Sequence, residues 1–265
     1  MLALLNGFQI IYRHRRVLAS TAAVDIKAKY AGSLLGLFWL LLYPALLLTA
    51  YSFVYIAVLQ VRFGSMSTPE YVLLIFAGLI PFLGFTEGLS MSVVSVTTNS
   101  SLIKNTLYPI DIIPVKAVFC SQCTQVVGMA LLILASAFFG RLTFYALLLP
   151  VIWIFQLLFS IGLGWIVSCL NVYFKDLQNI ITVLTLFLMM ISPIAYTVDM
   201  VPDGLRPFLA FNPLYYFITA YQDSLIVGCF PRGNVLGIMV IFSLVVFVVG
   251  YWFFCKMKQI FADNV

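Results

Sequence analysis

The sequence is short of charge. Only 9% of its 265 residues are Asp, Glu, Lys or Arg, 63% are hydrophobic, and the mean hydropathy is +1.11. So few polar side chains cannot cover a soluble globule of this size, which excludes a solvated single domain. Histidine occurs once, as His14, and the five cysteines are scattered. Cys120 and Cys123 form a lone CxxC with no second pair and no neighbouring histidine, so small thiols in a helix interface explain them better than a metal or redox site. No Gly-Lys pair occurs anywhere, and therefore no GxxxxGK[ST] phosphate loop, so the chain by itself does not cradle ATP phosphates. Carboxylates are also few, and Glu87 is the only one well inside an apolar run. The paired carboxylates, or nucleophile and base, of a hydrolase or transferase are missing. No catalytic residue, metal site or cofactor is expected in this chain, and no nucleic-acid partner.

What is present is apolar sequence in long runs. A helix needs roughly 20 apolar residues to cross about 30 Å of hydrocarbon. Six segments reach that length, about 36–60, 71–97, 114–139, 142–170, 178–198 and 234–255. The expected fold is an all-α polytopic membrane protein, with six transmembrane helices in residues 31–265 after a cytoplasmic segment, 1–30. The opening MLALLNGFQIIYRHRR places its charges after the apolar stretch, the reverse of a secretory signal, and is expected to remain uncleaved. Asn6, Gln9, Arg13, Arg16 and Ser20 recur at spacings of three and four, with Leu4, Leu5, Phe8, Ile11, Tyr12 and Leu18 on the other side. That pattern predicts an amphipathic helix at the membrane interface, its basic edge facing anionic lipid or a partner. An anchor on lipid alone is the plainer alternative.

Basic residues set the orientation. Arg13, Arg15, Arg16, Lys27, Lys29, Lys104, Lys116, Lys175, Lys256 and Lys258 fall on one side of the predicted spans, and only Arg62, Arg141, Arg206 and Arg232 on the other. The positive-inside rule then places both termini in the cytoplasm. Glu87, in GFTEGLS, reads either as a glutamate hydrogen-bonded inside the bundle near Thr86 and Ser90 or as a residue lining a pathway. Gly84 with Gly88, and Gly32 with Gly36, form GxxxG steps expected to be close helix contacts. Pro44, Pro81 and Pro193 lie within predicted spans and favour kinks, which are compatible with a cavity and also ordinary in membrane helices.

Four stretches, in order, resemble the permease subunits of ABC-2 type exporters, especially those for O-antigen and other surface polysaccharides. They are DIKAKYAGSLLGLFWLLLYP (25–44), NSSLIKNTLYPIDIIPVKAV (99–118), NVYFKDLQNI (171–180), and the run with Ser192-Pro193-Ile194, Tyr196, Val201-Pro202 and Asn212-Pro213-Leu214. The chain carries Lys175 where the family often has arginine, which keeps the charge and loses the planar fork. The resemblance implies a permease in the bacterial cytoplasmic membrane that moves a lipid-linked polysaccharide. It implies a homodimer working with two copies of a cytoplasmic ATPase that binds the ATP and Mg. The alternatives are another ABC-2 cargo, such as teichoic acid, capsule, a lipid or a drug, or a polytopic membrane transferase, which would need clustered His, Asp or Arg at one membrane face.

The resemblance also gives roles to residues. Leu102, Ile103, Lys104 and Tyr108 would dock the ATPase, with Arg13 and Arg16 as a second contact and Lys175 and Asp176 as a third; the plainer readings are a solvated loop and interface-anchoring charges. Aromatic faces suit sugars, whose apolar C–H surfaces pack on rings while their hydroxyls stay wet. Phe38, Trp39, Tyr43, Tyr51, Tyr55, Phe187 and Tyr196, with Glu87, are therefore candidates to line the pathway, although any one of these aromatics also suits an interface belt or the core. Residues 199–233 are too long for a tight turn and too apolar for a free loop, and Pro202, Pro207 and Pro213 cut them into pieces too short to cross. They are expected to form re-entrant gate helices on the outer side, with the prolines making the turns, Asn212 among the gate residues, and Tyr215, Tyr216 and Tyr221 facing an exit.

Overall fold

The computed structural model describes residues 2–58, 67–100, 108–196, 201–202, 204 and 206–264. Every regular element among them is helical. Two helices open the chain, α1 (Leu2–Arg13) and α2 (Arg15–Tyr30). A 3₁₀ turn, Gly36–Phe38, leads into α3 (Trp39–Ser52), which continues as a π turn over Phe53–Val58. Then come α4 (Thr68–Thr98), α5 (Ile112–Phe138), α6 (Leu149–Tyr173, entered by a 3₁₀ turn at Phe144–Leu148) and α7 (Leu177–Ile191). The short helices α8 (Arg206–Leu209) and α9 (Pro213–Gln222, followed by a π turn at Asp223–Val227) precede α10 (Gly233–Asn264).

Among the described residues, four helices are long and apolar enough to cross a membrane: Thr68–Thr98, Ile112–Phe138, Phe144–Tyr173 and Gly233–Lys258. They coincide with the second, third, fourth and sixth predicted spans. The fifth differs from expectation, because α7 has 15 residues and stops at Ile191, where 178–198 was predicted. At roughly 1.5 Å per residue it extends only about 22 Å. The residue before a proline is pushed out of the α region, and Ser192, which precedes Pro193, has ψ 140°. The first predicted span is divided into the 14 residues of α3 and the π turn, with 59–66 outside the described residues.

α4 is the hub. It packs on α5, α6, α7 and α9 and is buried along most of its length, including Leu74, Ile75, Phe85, Val93 and Val96. Close approach of α4 to α5 depends on Gly84 and Gly88, where an added Cβ would meet Gln125 and Ser121 at 2.2 and 2.7 Å. α6 and α10 cross still more closely, since a Cβ on Gly250 would lie 2.1 Å from the Gly162 carbonyl oxygen. Gly32 and Gly36 depart from the expected helix contact. Their φ values are +79° and +51°, an added Cβ would have nothing within 4 Å, and they form the turn between α2 and α3.

The predicted single amphipathic segment is two helices divided at His14. α1 lies against α10, with Gly7 under the Phe247 ring and Phe8 4.8 Å from it. α2 lies along α5, with Leu18 and Ala22 buried. Below them, Asp111 at the start of α5 is 5% exposed and accepts from Lys258 Nζ of α10 at 2.8 and 3.0 Å, while its carbonyl accepts from Trp165 Nε1 at 2.9 Å.

Candidate functional site

A cavity of about 640 Å³ opens between α2, α3, α4, α5 and α7. α3 contributes Trp39 and Tyr43, spaced four apart and so on one face, and the Trp39 indole is held by donation to Ser33 Oγ at 3.0 Å. α4 contributes Leu83, Thr86, Glu87 and Ser90, an i, i+3, i+4, i+7 stripe, and Thr124 and Thr185 come from α5 and α7. Across the cavity wall Lys29 Nζ donates to Glu87 Oε1, an ion pair joining the end of α2 to α4. Burial lowers the pKa of the Lys29 ammonium, but the Glu87 carboxylate outweighs it, so the net direction is up. The site thus offers two aromatic faces, several hydroxyls and a compensated charge pair. Among the described residues, no group of three or more His, Cys, Asp or Glu side chains could hold a metal.

Three predicted lining residues, Trp39, Tyr43 and Glu87, meet in this cavity. Phe38 and Phe187 are 53% and 61% exposed, outside its lining. The Tyr196 hydroxyl donates to the Ile191 carbonyl, closing the bend after α7. Tyr51 and Tyr55 have side chains outside the described set. Lys29, Ser33, Thr124 and Thr185 are lining residues that sequence reasoning missed. One signal for Lys29 was available, because a carboxylate inside an apolar helix needs a cation, and Lys29 had been counted only for orientation.

Of the expected docking residues, Arg13, Arg16, Lys175 and Asp176 are exposed; the last two occupy the turn between α6 and α7. Tyr108 is half-buried, its hydroxyl 3.3 Å from Thr21 Oγ1. Leu102, Ile103 and Lys104 lie outside the described residues.

The stretch between α7 and α10 does form short helices. Asn212 caps α9, accepting from Leu214 N at 3.0 Å and donating to Ser192 Oγ at 2.8 Å, and Pro213 takes the first helical position. Pro202 and Pro207 are exposed. Tyr215 is half-buried, whereas Tyr216 and Tyr221 depart from the expected exit-facing position. Tyr216 is buried and donates to the Ala210 carbonyl at 3.0 Å. Tyr221 is 1% exposed and donates to Gln156 Oε1 at 2.9 Å. Leu214, Phe217, Ile218, Tyr221 and Leu225 share one face at helical spacing, and that face is the buried one. Gln222 Nε2 donates to the Pro193 carbonyl at 3.0 Å, tying α9 to the bend after α7.

The ABC-2 type transporter family matches residues 19–226. The O-antigen export system permease protein RfbA of Myxococcus xanthus is 25% identical over 258 residues, 96% of this chain and 97% of that protein. A protein of the same name from Klebsiella pneumoniae is 27% identical, covering 90% of this chain and 91% of its own length. The polysialic acid transport protein KpsM of Escherichia coli is 24% identical over 85% of this chain and 87% of its own. With one family match running from within α2 to the π turn after α9, the chain belongs to the ABC-2 type transporter family.

Proposed function

We propose that this chain is the membrane permease of an ATP-driven exporter that carries a lipid-linked polysaccharide, an O-antigen or similar surface glycan, across the bacterial cytoplasmic membrane. The observation that carries the reading is the cavity between α2, α3, α4, α5 and α7, in a chain of this family. Trp39 and Tyr43 offer rings to the apolar faces of a sugar, and Ser33, Thr86, Ser90, Thr124 and Thr185 offer hydroxyls to its polar edge. Such contacts are individually weak and are made equally by successive sugars, so a polymer enters without being trapped. The names of the relatives specify O-antigen and polysialic acid, both glycans, which supports a sugar polymer over a drug or a small lipid.

In this reading two copies of the chain enclose one pathway with six spans each, and both termini are cytoplasmic. Two copies of a separate ATPase bind ATP and Mg and dock on the segment ending at Tyr108, on Lys175 and Asp176, and on the basic N-terminal helices. The short helices α8 and α9 form the outer gate as re-entrant elements. Export reconstituted in proteoliposomes, with the partner ATPase and a lipid-linked glycan, tests the proposal. Replacing Trp39 and Tyr43 together with alanine removes two ring contacts worth about 2 kcal/mol in sum, so export should fall roughly thirtyfold with ATPase association unaltered. Undiminished glycan export by that variant, or wild-type transport of another cargo and no glycan, would overturn it.

A further inference from the structure

A separate cleft of about 240 Å³ lies between α1 and α10 and shares no lining residue with the larger cavity. Asn6, Gln9, Ile10 and Arg13 line it from α1 at i, i+3, i+4 and i+7, His14 lines it at the break before α2, and Tyr251 of α10 forms its wall. That wall is fixed. The Tyr251 ring is buried 5.2 Å from the Trp165 ring, and a Cβ added to Gly7 would meet Phe247 and Tyr251 at 3.0 and 3.4 Å, so α1 is pressed against α10. The rim is open, because Asn6, Gln9 and Arg13 are exposed. The polar lining is a guanidinium, an imidazole, two carboxamides and a phenol, with no carboxylate. The first acidic residue of the chain is Asp25, and no carboxylate among the described residues pairs with Arg13. Arg15 differs, since its guanidinium stacks 4.2 Å over the Tyr12 ring and donates to the Tyr12 carbonyl at 3.0 Å.

We infer that this cleft binds the headgroup of an anionic phospholipid, a phosphodiester whose alcohol is hydroxylated and uncharged, as in phosphatidylglycerol. Its depth suits a headgroup. Tyr251, Trp252, Lys256 and Lys258 end the apolar helix Gly233–Lys258, and the Lys256 ammonium lies 5.3 Å over the Trp252 ring, the pairing of aromatic and basic side chains that marks a membrane interface. Val245, Val249 and Trp252, at i, i+4 and i+7 on α10, form an exposed strip, and exposed Phe8 stands beside Phe247 on the same helix. Acyl chains can lie on these groups, which a free phosphate would leave uncovered. The volume is below the roughly 300–1,000 Å³ of sites for drug-sized ligands, which fits a headgroup better than a nucleotide. Charge then selects among lipids. Arg13 brings a fork of donors to the phosphate oxygens and His14 a further N–H, while the Asn6 and Gln9 amides suit the glycerol hydroxyls. The ammonium of an ethanolamine or choline headgroup finds no carboxylate here. Basic pockets beside membrane helices take anionic headgroups in this way. The inference rests on the membrane reading above and moves Arg13 from the proposed ATPase contact to the lipid, leaving Arg16 to the partner.

The test reads lipid occupancy without reference to cargo. The full-length permease in phosphatidylcholine nanodiscs receives a trace of phosphatidylglycerol with a photoreactive diazirine on its headgroup, and adducts are mapped by peptide mass spectrometry. They should concentrate on residues 6–14 and on Tyr251. Unlabelled phosphatidylglycerol should displace the probe, and phosphatidylethanolamine should need about tenfold more. Arg13→Gln should lower the adduct yield about tenfold, the loss of one charge-assisted hydrogen bond. Arg13→Lys should retain part of the yield, because the charge remains and the fork is lost, and Arg16→Gln should leave it unchanged. Parental labelling of Arg13→Gln, or equal displacement by phosphatidylethanolamine, overturns the inference. Displacement by inorganic phosphate or soluble glycerol phosphate as effective as by the lipid assigns the cleft to a free phosphate and also overturns it. So does an Arg13→Gln protein that loses the ATPase and keeps parental labelling, since the residue then belongs to the partner. Should Arg13→Gln not assemble, the lipid competition in the parent decides. Glycan export by the permease–ATPase complex, measured in parallel, separates the two readings: labelling of the cleft in a complex that moves no glycan supports the lipid site and overturns the cargo.

Discussion

Replacing Gln156 with leucine should destabilise the bundle far more than removing the Tyr221 hydroxyl. Gln156 is 1% exposed at the meeting point of α4, α5, α6 and α9. Its Oε1 accepts from Gln125 Nε2 at 2.8 Å and from the Tyr221 hydroxyl at 2.9 Å, and its Nε2 donates to the Pro81 carbonyl at 2.8 Å and to Gln125 Oε1 at 3.2 Å. Leucine nearly keeps the volume and deletes all of these bonds. Interhelical hydrogen bonds in membrane proteins average about 0.6 kcal/mol, so four sum to about 2.4 kcal/mol. Gln125 Oε1 and the Tyr221 hydroxyl proton are then left without a partner, only the 3.4 Å donation from Gln125 Nε2 to the Tyr221 hydroxyl remaining, which raises the loss to roughly 4 kcal/mol. Tyr221→Phe leaves Gln156 Oε1 satisfied by Gln125 and costs only about 0.6–1 kcal/mol. At about 3 °C per kcal/mol for a chain of this size, the melting temperature should fall by roughly 7–12 °C in the first variant and about 2–3 °C in the second. Thermal unfolding of the purified permease, followed by size-exclusion fluorescence, measures both. A Gln156→Leu protein within about 2 °C of wild type would refute the reasoning. So would Tyr221→Phe protein of wild-type stability that loses export, the result expected of a tyrosine facing the polymer.

Two further outcomes follow from packing and charge. Gly250→Ala should abolish most folded protein, because the added Cβ would lie 2.1 Å from a backbone oxygen that has nowhere to move, whereas Gly237→Ala on the same helix meets nothing within 4 Å and should be silent; detergent-soluble monodisperse yield distinguishes them. Asp111→Asn weakens a bidentate hold on Lys258 at 2.8 and 3.0 Å and should cost about 1–3 kcal/mol, and Lys258→Met in the same protein should recover part of the loss, measured as a double-mutant cycle of thermal stability.

Much of the architecture was legible because hydropathy and proline act locally. The four long apolar helices and the short helices after α7 follow from composition, from Pro202, Pro207 and Pro213, and from the fixed φ of each proline, whereas the capping role of Asn212 shows only in the structure. The end of α7 was legible too, since Pro193 excludes helix at Ser192, yet a continuous apolar run concealed it. Glu87 stood out as a carboxylate in apolar sequence, and the four ordered motifs pointed to the family.

Sequence by itself determined the helical membrane class, the family and the absence of a phosphate loop, since these depend on which residues occur and in what local order. Only the tertiary structure decided which residues meet. Two GxxxG steps read alike, but Gly84 and Gly88 admit α5 while Gly32 and Gly36 make a left-handed turn. Tyr221 and Tyr43 are both tyrosines in apolar surroundings, but one is sealed in an amide network and the other lines a cavity. Lys29 finds Glu87 across 58 residues because α2 runs beside α5 and ends against α4. In a chain apolar on nearly every helix face, hydrophobicity marks each helix without specifying its neighbour, so small residues and rare polar groups decide the pairing only once the helices are packed.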